Sequence, residues 1–113
     1  MPESLVSAST SISIGASSTS STELYEVPPG RTFRLLRVKV YVPTGAEGYV
    51  KLVVKKGDYN VAPTKGYVYP TSAPLTIDCD EPFSSGSKVI VEAENTDSAN
   101  AHTLYVVIEG VLD

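Results

Sequence analysis

A chain of 113 residues, 42% hydrophobic and 19% charged, is long enough to build one core and too short for two. Its net charge of -4 argues against a nucleic-acid backbone as the main partner, because that affinity rests on clustered Lys and Arg. The single cysteine, Cys79, permits no internal disulfide, and no apolar run approaches the ~20 residues of a membrane-spanning helix.

Residues 4–22 are dominated by Ser and Thr, a composition common in disordered segments. Ala8, Ile12 and Ile14 nevertheless share one parity, separated by small hydroxyl residues. Successive strand side chains point to opposite faces, so this pattern predicts an edge strand with one weakly apolar face. The alternative is an arm ordered by a neighbouring subunit. Residues 1–22 therefore read as an N-terminal strand or arm, and residues 23–113 as the sandwich it belongs to, within one domain. The segment lacks the basic start and apolar stretch of a signal peptide, so the expected location is the cytoplasm or a particle released by lysis.

Residues 15–21 read as a loop and residues 22–27 as a second strand, with Tyr25 and Val27 inward. Pro28-Pro29-Gly30 ends it, since proline donates nothing to a ladder and glycine supplies a positive φ. The longest strand-like segment follows and runs to Val42. Phe33 and Leu35 hold one parity, whereas Leu36, Val38, Val40 and Val42 hold the other. One extra residue produces that change of phase, which predicts a β-bulge at Leu35-Leu36. Arg31, Arg34, Arg37 and Lys39 make this segment basic, and the expectation is a solvated strand face paired with acidic strands.

Residues 49–56 alternate again, with Val50, Leu52 and Val54 inward and Lys51, Val53 and Lys55 outward. Residues 58–73 contain Tyr59, Tyr67 and Tyr69 among Pro63, Gly66 and Pro70. They read as a long aromatic loop, strand-like only at 66–69, and such a loop is uncommon in a small domain without a functional reason. Alternation returns at 75–79, with Cys79 at the core parity. Turn residues flank Phe83, and strands follow at 87–95 (Val89, Val91 and Ala93 inward) and 102–112 (Leu104, Val106 and Ile108 inward). Seven or eight short strands without crossover helices predict an all-β, antiparallel two-sheet sandwich.

Catalytic chemistry is poorly provided for. His102 is the lone histidine, which is too few for a histidine-rich metal site of the cupin type. Asp78, Asp80 and Glu81 are closely spaced oxygen donors but lack the spacing and glycine of a calcium loop, so they read as a solvated acidic turn. The reading is a non-enzymatic protein with no metal and no cofactor. Glu92 and Glu94 share one face and are expected to form cross-strand ion pairs. Tyr41, Tyr49, Val53, Ile90, Tyr105 and Val107 fall on the parity that should meet water. Several on one sheet would form an apolar patch suited to an interface, while singly they would be half-wet side chains of no consequence.

The Ser/Thr-rich first strand, the V-P-P-G-R-T turn into the longest strand, G-S-K-V-I-V-E-A-E-N and the final I-E-G together resemble small jelly-roll sandwiches. Such proteins serve as virus and phage capsid, decoration or fibre-head subunits. The resemblance implies a jelly-roll-like fold and a non-enzymatic subunit of a virion. It also implies a closed homo-oligomer in contact with other particle subunits, with residues 4–21 adding a strand to a neighbour's edge. The alternative is a carbohydrate-binding module that stacks sugars on Tyr59, Tyr67 and Tyr69, against which the absence of Trp counts. A small sandwich hydrolase or isomerase is a third reading, disfavoured by the single histidine.

Overall fold

The computed structural model describes residues 4–43, 45–46, 48–63, 66–70 and 75–113. Part of the turn after Val42 and part of the 58–73 loop therefore lie outside the described residues. Among the described residues there are eight strands: β1 (Ser4–Ile14), β2 (Thr19–Glu26), β3 (Phe33–Tyr41), β4 (Val50–Lys56), β5 (Tyr59–Ala62), β6 (Leu75–Phe83), β7 (Lys88–Asn95) and β8 (His102–Leu112). They form two four-stranded sheets, ordered β1-β8-β3-β6 and β2-β7-β4-β5, and every ladder is antiparallel.

The topology follows one rule. β4 pairs with β5, β3 with β6, β2 with β7 and β1 with β8. The chain is thus a single long hairpin, folded at β4-β5 and wrapped so that successive strand pairs fall in alternate sheets. Contacts of β8 with β3 and of β7 with β4 then complete the two sheets. That arrangement is a jelly roll, built as an all-β sandwich.

Most of the inward residues are those the alternation predicts. Val50, Leu52, Val54, Val89, Val91, Ala93, Leu104, Val106 and Ile108 are all buried, with Ile12 and Ile14 closing one end. Strands form here because β-branched and aromatic residues at a period of two bury a whole face without exposing backbone. At the other end Phe33 and Phe83 are fully buried, and Tyr25 lies 4.9 Å from Phe33 between ring centroids.

The bulge in β3 lies where the phase changes. Both ladders of β3 shift register between Leu35 and Arg37, leaving Leu36 as the extra residue against β8. Leu36 does not join the inward row with Val38, as its parity suggested. It is half-buried, and the core row runs Phe33, Leu35, Val38, Val40. Omitting Leu36 restores strict alternation along β3, while against β6 the extra residue at this point lies on β6.

Other departures reflect backbone pairing that side-chain pattern does not reveal. β2 begins at Thr19 rather than Thr22, because Thr19–Ser21 pair with Glu94–Glu92 whatever their polarity. Tyr59–Ala62 form a strand on β4 within the stretch read as loop, and Val68 bridges Leu52. β6 continues to Phe83, so Asp80, Glu81 and Pro82 are strand residues rather than a turn. Their side chains meet cations: Asp80 pairs with Arg34, Asp78 with Arg37 and Glu81 with Lys56. Gly30 has φ 75° as the Pro-Pro-Gly turn requires, and its N–H donates to Ser85 Oγ at 2.9 Å.

Candidate functional site

The outer face of the β1-β8-β3-β6 sheet is divided along its length. Across the sheet, Ser11, Tyr105 and Tyr41 form one row. Ser9, Val107, Lys39 and Thr76 form the next, followed by Ser7, Glu109, Arg37 and Asp78. Small hydroxyls therefore occupy the β1 side and charges the β3-β6 side. Arg37 Nη1 donates to Glu109 at 3.2 Å and its Nε to Asp78 at 3.3 Å, while Lys39 Nζ lies 3.6 Å from Glu109. The carboxylates of Glu109 and Asp78 hold the Arg37 pKa above its ordinary value. The basic residues of β3 are thus neutralised on their own sheet, as expected of a solvated strand face. Exposed pairs of this kind are screened by solvent and contribute little to stability.

Tyr41 and Tyr105 stack at the end of this face, with centroids 5.3 Å apart and rings tilted by 24°. With Ser9, Thr10, Ser11 and Val107 they line a shallow cleft of about 280 Å³. Three of the candidate residues, Tyr41, Tyr105 and Val107, are therefore brought together. The other candidates lie elsewhere.

On the opposite sheet, Lys55 donates to Glu92 at 3.0 Å and Lys51 lies 3.4 Å from Glu94, the cross-strand pairs expected of the two glutamates. Lys51 Nζ sits 4.7 Å from the centre of the Tyr67 ring. Val53, expected to face water between the two lysines, is only 1% exposed. The segment bridged at Leu52-Val68 carries Tyr67 beside that face, and an outward parity does not guarantee exposure once a loop folds back over a strand. Tyr69 remains half-exposed two residues further on.

Tyr59 is 75% exposed at the far end of β4. It lines a groove of about 680 Å³ with Ile90, Lys56, Pro82 and Lys88. The three loop tyrosines thus do not share one platform.

Tyr49 stacks on His102, with centroids 5.5 Å apart and planes 11° from parallel. This pair caps a polar cluster that pattern-reading missed. Asn95 is fully buried, and its Nδ2 donates to the carbonyls of Ile14, Gly15 and Asn100 at 3.2, 3.3 and 2.8 Å. Its Oδ1 accepts the Asp97 N–H at 2.9 Å. Asp97 accepts the Ala99 N–H at 2.9 Å and meets His102 Nε2 at 2.8 Å, with Asn100 adding two longer bonds. The Ala99 amide first and His102 second lower the Asp97 pKa to about 2. The only signal was a run of Asn, Thr, Asp and Ser in a turn, and such runs are mostly solvated.

The hydrogen bonds of these groups run mainly to loop backbone. The bonds of the His102-Asp97 pair run to the turn that it ties down. Among the described residues no group of three His, Cys, Asp or Glu could hold a metal ion, and no buried side-chain nitrogen or oxygen lacks a partner. Cys79 lies 3.5 Å from the Leu35 carbonyl, and burial, then the charges of Glu81, Asp78 and Asp80, push its thiol pKa up. A raised pKa suppresses the thiolate and with it the nucleophile.

No protein-family model matches the sequence, and no curated protein is similar to it in sequence. Solved structures match by shape. A chain of the capsid asymmetric unit of cyanophage Pam1 superposes with a TM-score of 0.60 at 15% identity, over 96% of this chain and 85% of that one. A protein in the atomic structure of Sulfolobus turreted icosahedral virus gives 0.59 at 13% identity, over 99% of this chain and 31% of that one. The chain therefore spans about a third of the length of that archaeal virus protein. The crystal structure of FLHE gives 0.51 at 8% identity, over 97% and 98%. The chain has a jelly-roll fold, which it shares with these chains. At such identities the likeness is one of fold.

Proposed function

We propose that this protein is a non-enzymatic structural subunit of a virus-like particle, resident in the virion and self-associating through its sheet edges and outward side chains. The observation that carries this reading is the jelly roll itself, matched over nearly the whole chain and most of the Pam1 capsid chain. The surfaces support it. The outer faces carry internally neutralised charge ladders, a hydroxyl row and one stacked tyrosine pair, features suited to flat contact between subunits. No observation favours the sugar-binding alternative over this, since Tyr59 lines a groove that Tyr67 does not and Lys51 occupies one face of the Tyr67 ring.

Native mass measurement tests the proposal. A closed oligomer of defined copy number at micromolar concentration is the expected result. A monomer under those conditions overturns it.

A further inference from the structure

Each sheet has two edge strands, which makes β1, β6, β2 and β5 the places where another chain could add hydrogen bonds. Three of the four are blunted. β6 carries exposed Asp78 and Asp80, a proline at position 82, and Glu81 turned at the core parity toward Lys56 of the other sheet. Inward charge of that kind is a recognised guard against edge pairing. β2 carries Glu23 and Glu26 and shifts register between Glu23 and Tyr25. β5 is four residues long and is followed directly by Pro63.

β1 has none of these protections. It is 11 residues long, SLVSASTSISI, without charge or proline, and its register against β8 is unbroken from Ser4 to Ile14. Its inward residues Val6 and Ala8 pack on the core yet stay partly exposed, and Leu5 is 89% exposed. The hydrophobic core is thus open along this flank, beside an unguarded ladder edge of about 36 Å.

We infer that β1 is the edge at which two copies of this chain pair, antiparallel across a twofold axis, joining their β1-β8-β3-β6 sheets into one eight-stranded sheet. This rests on the assembly reading above and names the element and symmetry of one contact. The occupant is a second copy because an uncharged edge is complementary to itself, and an isologous contact puts the same strand on both sides. Charge disfavours the same solution at β6, where full overlap would set Asp78 of one copy opposite Asp80 of the other. Full overlap of the 11 residues places residue 4 opposite residue 14, residue 5 opposite residue 13, and Ser9 opposite Ser9. It also keeps the odd-numbered serines of both copies on the outer face and the Val6-Ala8 rows on the core side.

Cysteine pairing reads the register directly. In a Cys79→Ser background, Ser9→Cys brings two thiols to an antiparallel cross-strand position within disulfide reach. Ser7→Cys leaves its two thiols about 13 Å apart. The expected result is a covalent dimer under mild oxidation for Ser9→Cys and none for Ser7→Cys. Ser9→Lys, which sets like charges opposite each other on an exposed face, should halve the native copy number while the chain stays folded by circular dichroism. A wild-type oligomer that Ser9→Lys leaves intact, with no Ser9→Cys dimer, overturns the β1 contact and leaves the assembly reading standing. Preferential crosslinking at Ser7→Cys overturns the proposed register. A monomeric wild-type protein overturns both readings.

Discussion

The Phe33 ring lies directly against the backbone of Gly110. A Cβ built on Gly110 would fall 2.5 Å from Phe33 Cζ, and closer still to the Arg34 carbonyl oxygen. Gly110 occupies an inward position of β8, in register with Leu35 of β3 and Val6 of β1. A glycine at such a site normally weakens a strand by lost entropy and lost packing. Here the aromatic ring fills the missing side chain's place and joins Tyr25 and Phe83 in closing the core.

Gly110→Ala should therefore destabilise, although alanine has the better strand propensity. A methyl group has no room between a fully buried ring and a ladder backbone. The expected loss is about 1–3 kcal/mol, typical of overpacking, seen as a lower urea midpoint at unchanged slope. An unchanged midpoint would show that β8 can move away from Phe33 and that the ring does not hold the strand in place. The double variant Gly110→Ala, Phe33→Leu should recover only the part of the loss due to the ring, because the Arg34 carbonyl still crowds the new methyl group.

The cluster at the opposite end predicts a dependence on acid. The Asp97 carboxyl titrates at about 2 in the folded protein against an ordinary value of 3.8. A lowered folded pKa means the group contributes stability that is fully present above about 4 and lost as pH falls through about 2. Asp97→Asn should lower the midpoint at pH 7 and flatten the slope of stability against pH between about 4 and 2. An identical acid slope in both proteins would remove Asp97 from the explanation. Asn95→Ala, which strips three carbonyls of their donor in a buried site, should cost about 1–3 kcal/mol at any pH.

Leu36 supplies a test by deletion. Without it, Leu35, Arg37 and Val38 alternate in, out and in, so every later residue of β3 keeps its face. Removing Val38 instead would turn Lys39 and Tyr41 into the core and Val40 into water, the consequence of a one-residue slip. The Leu36 deletion should retain cooperative unfolding, whereas the Val38 deletion should not fold. Loss of folding in both would mean that the bulge itself is needed to turn the sheet.

The amino-acid sequence by itself determined the sandwich, most of its inward residues and the place of the bulge. Each is a matter of which residues can share a buried face at a period of two, and that information is local. It pointed also to the jelly-roll resemblance and to the cross-strand role of Glu92 and Glu94. Only the tertiary structure decided that Val53 is covered, that Asp78, Asp80 and Glu81 lie on a strand against cations, and that the candidate tyrosines sort to separate faces and ends. These depend on which distant strands become neighbours. The nested pairing of β1 with β8 through to β4 with β5 sets those neighbours by backbone hydrogen bonds that no side-chain pattern reports. The same pairing gives the Ser/Thr segment its place. A run that composition alone reads as loose is a full strand on β8, because backbone pairing does not depend on what the side chains are.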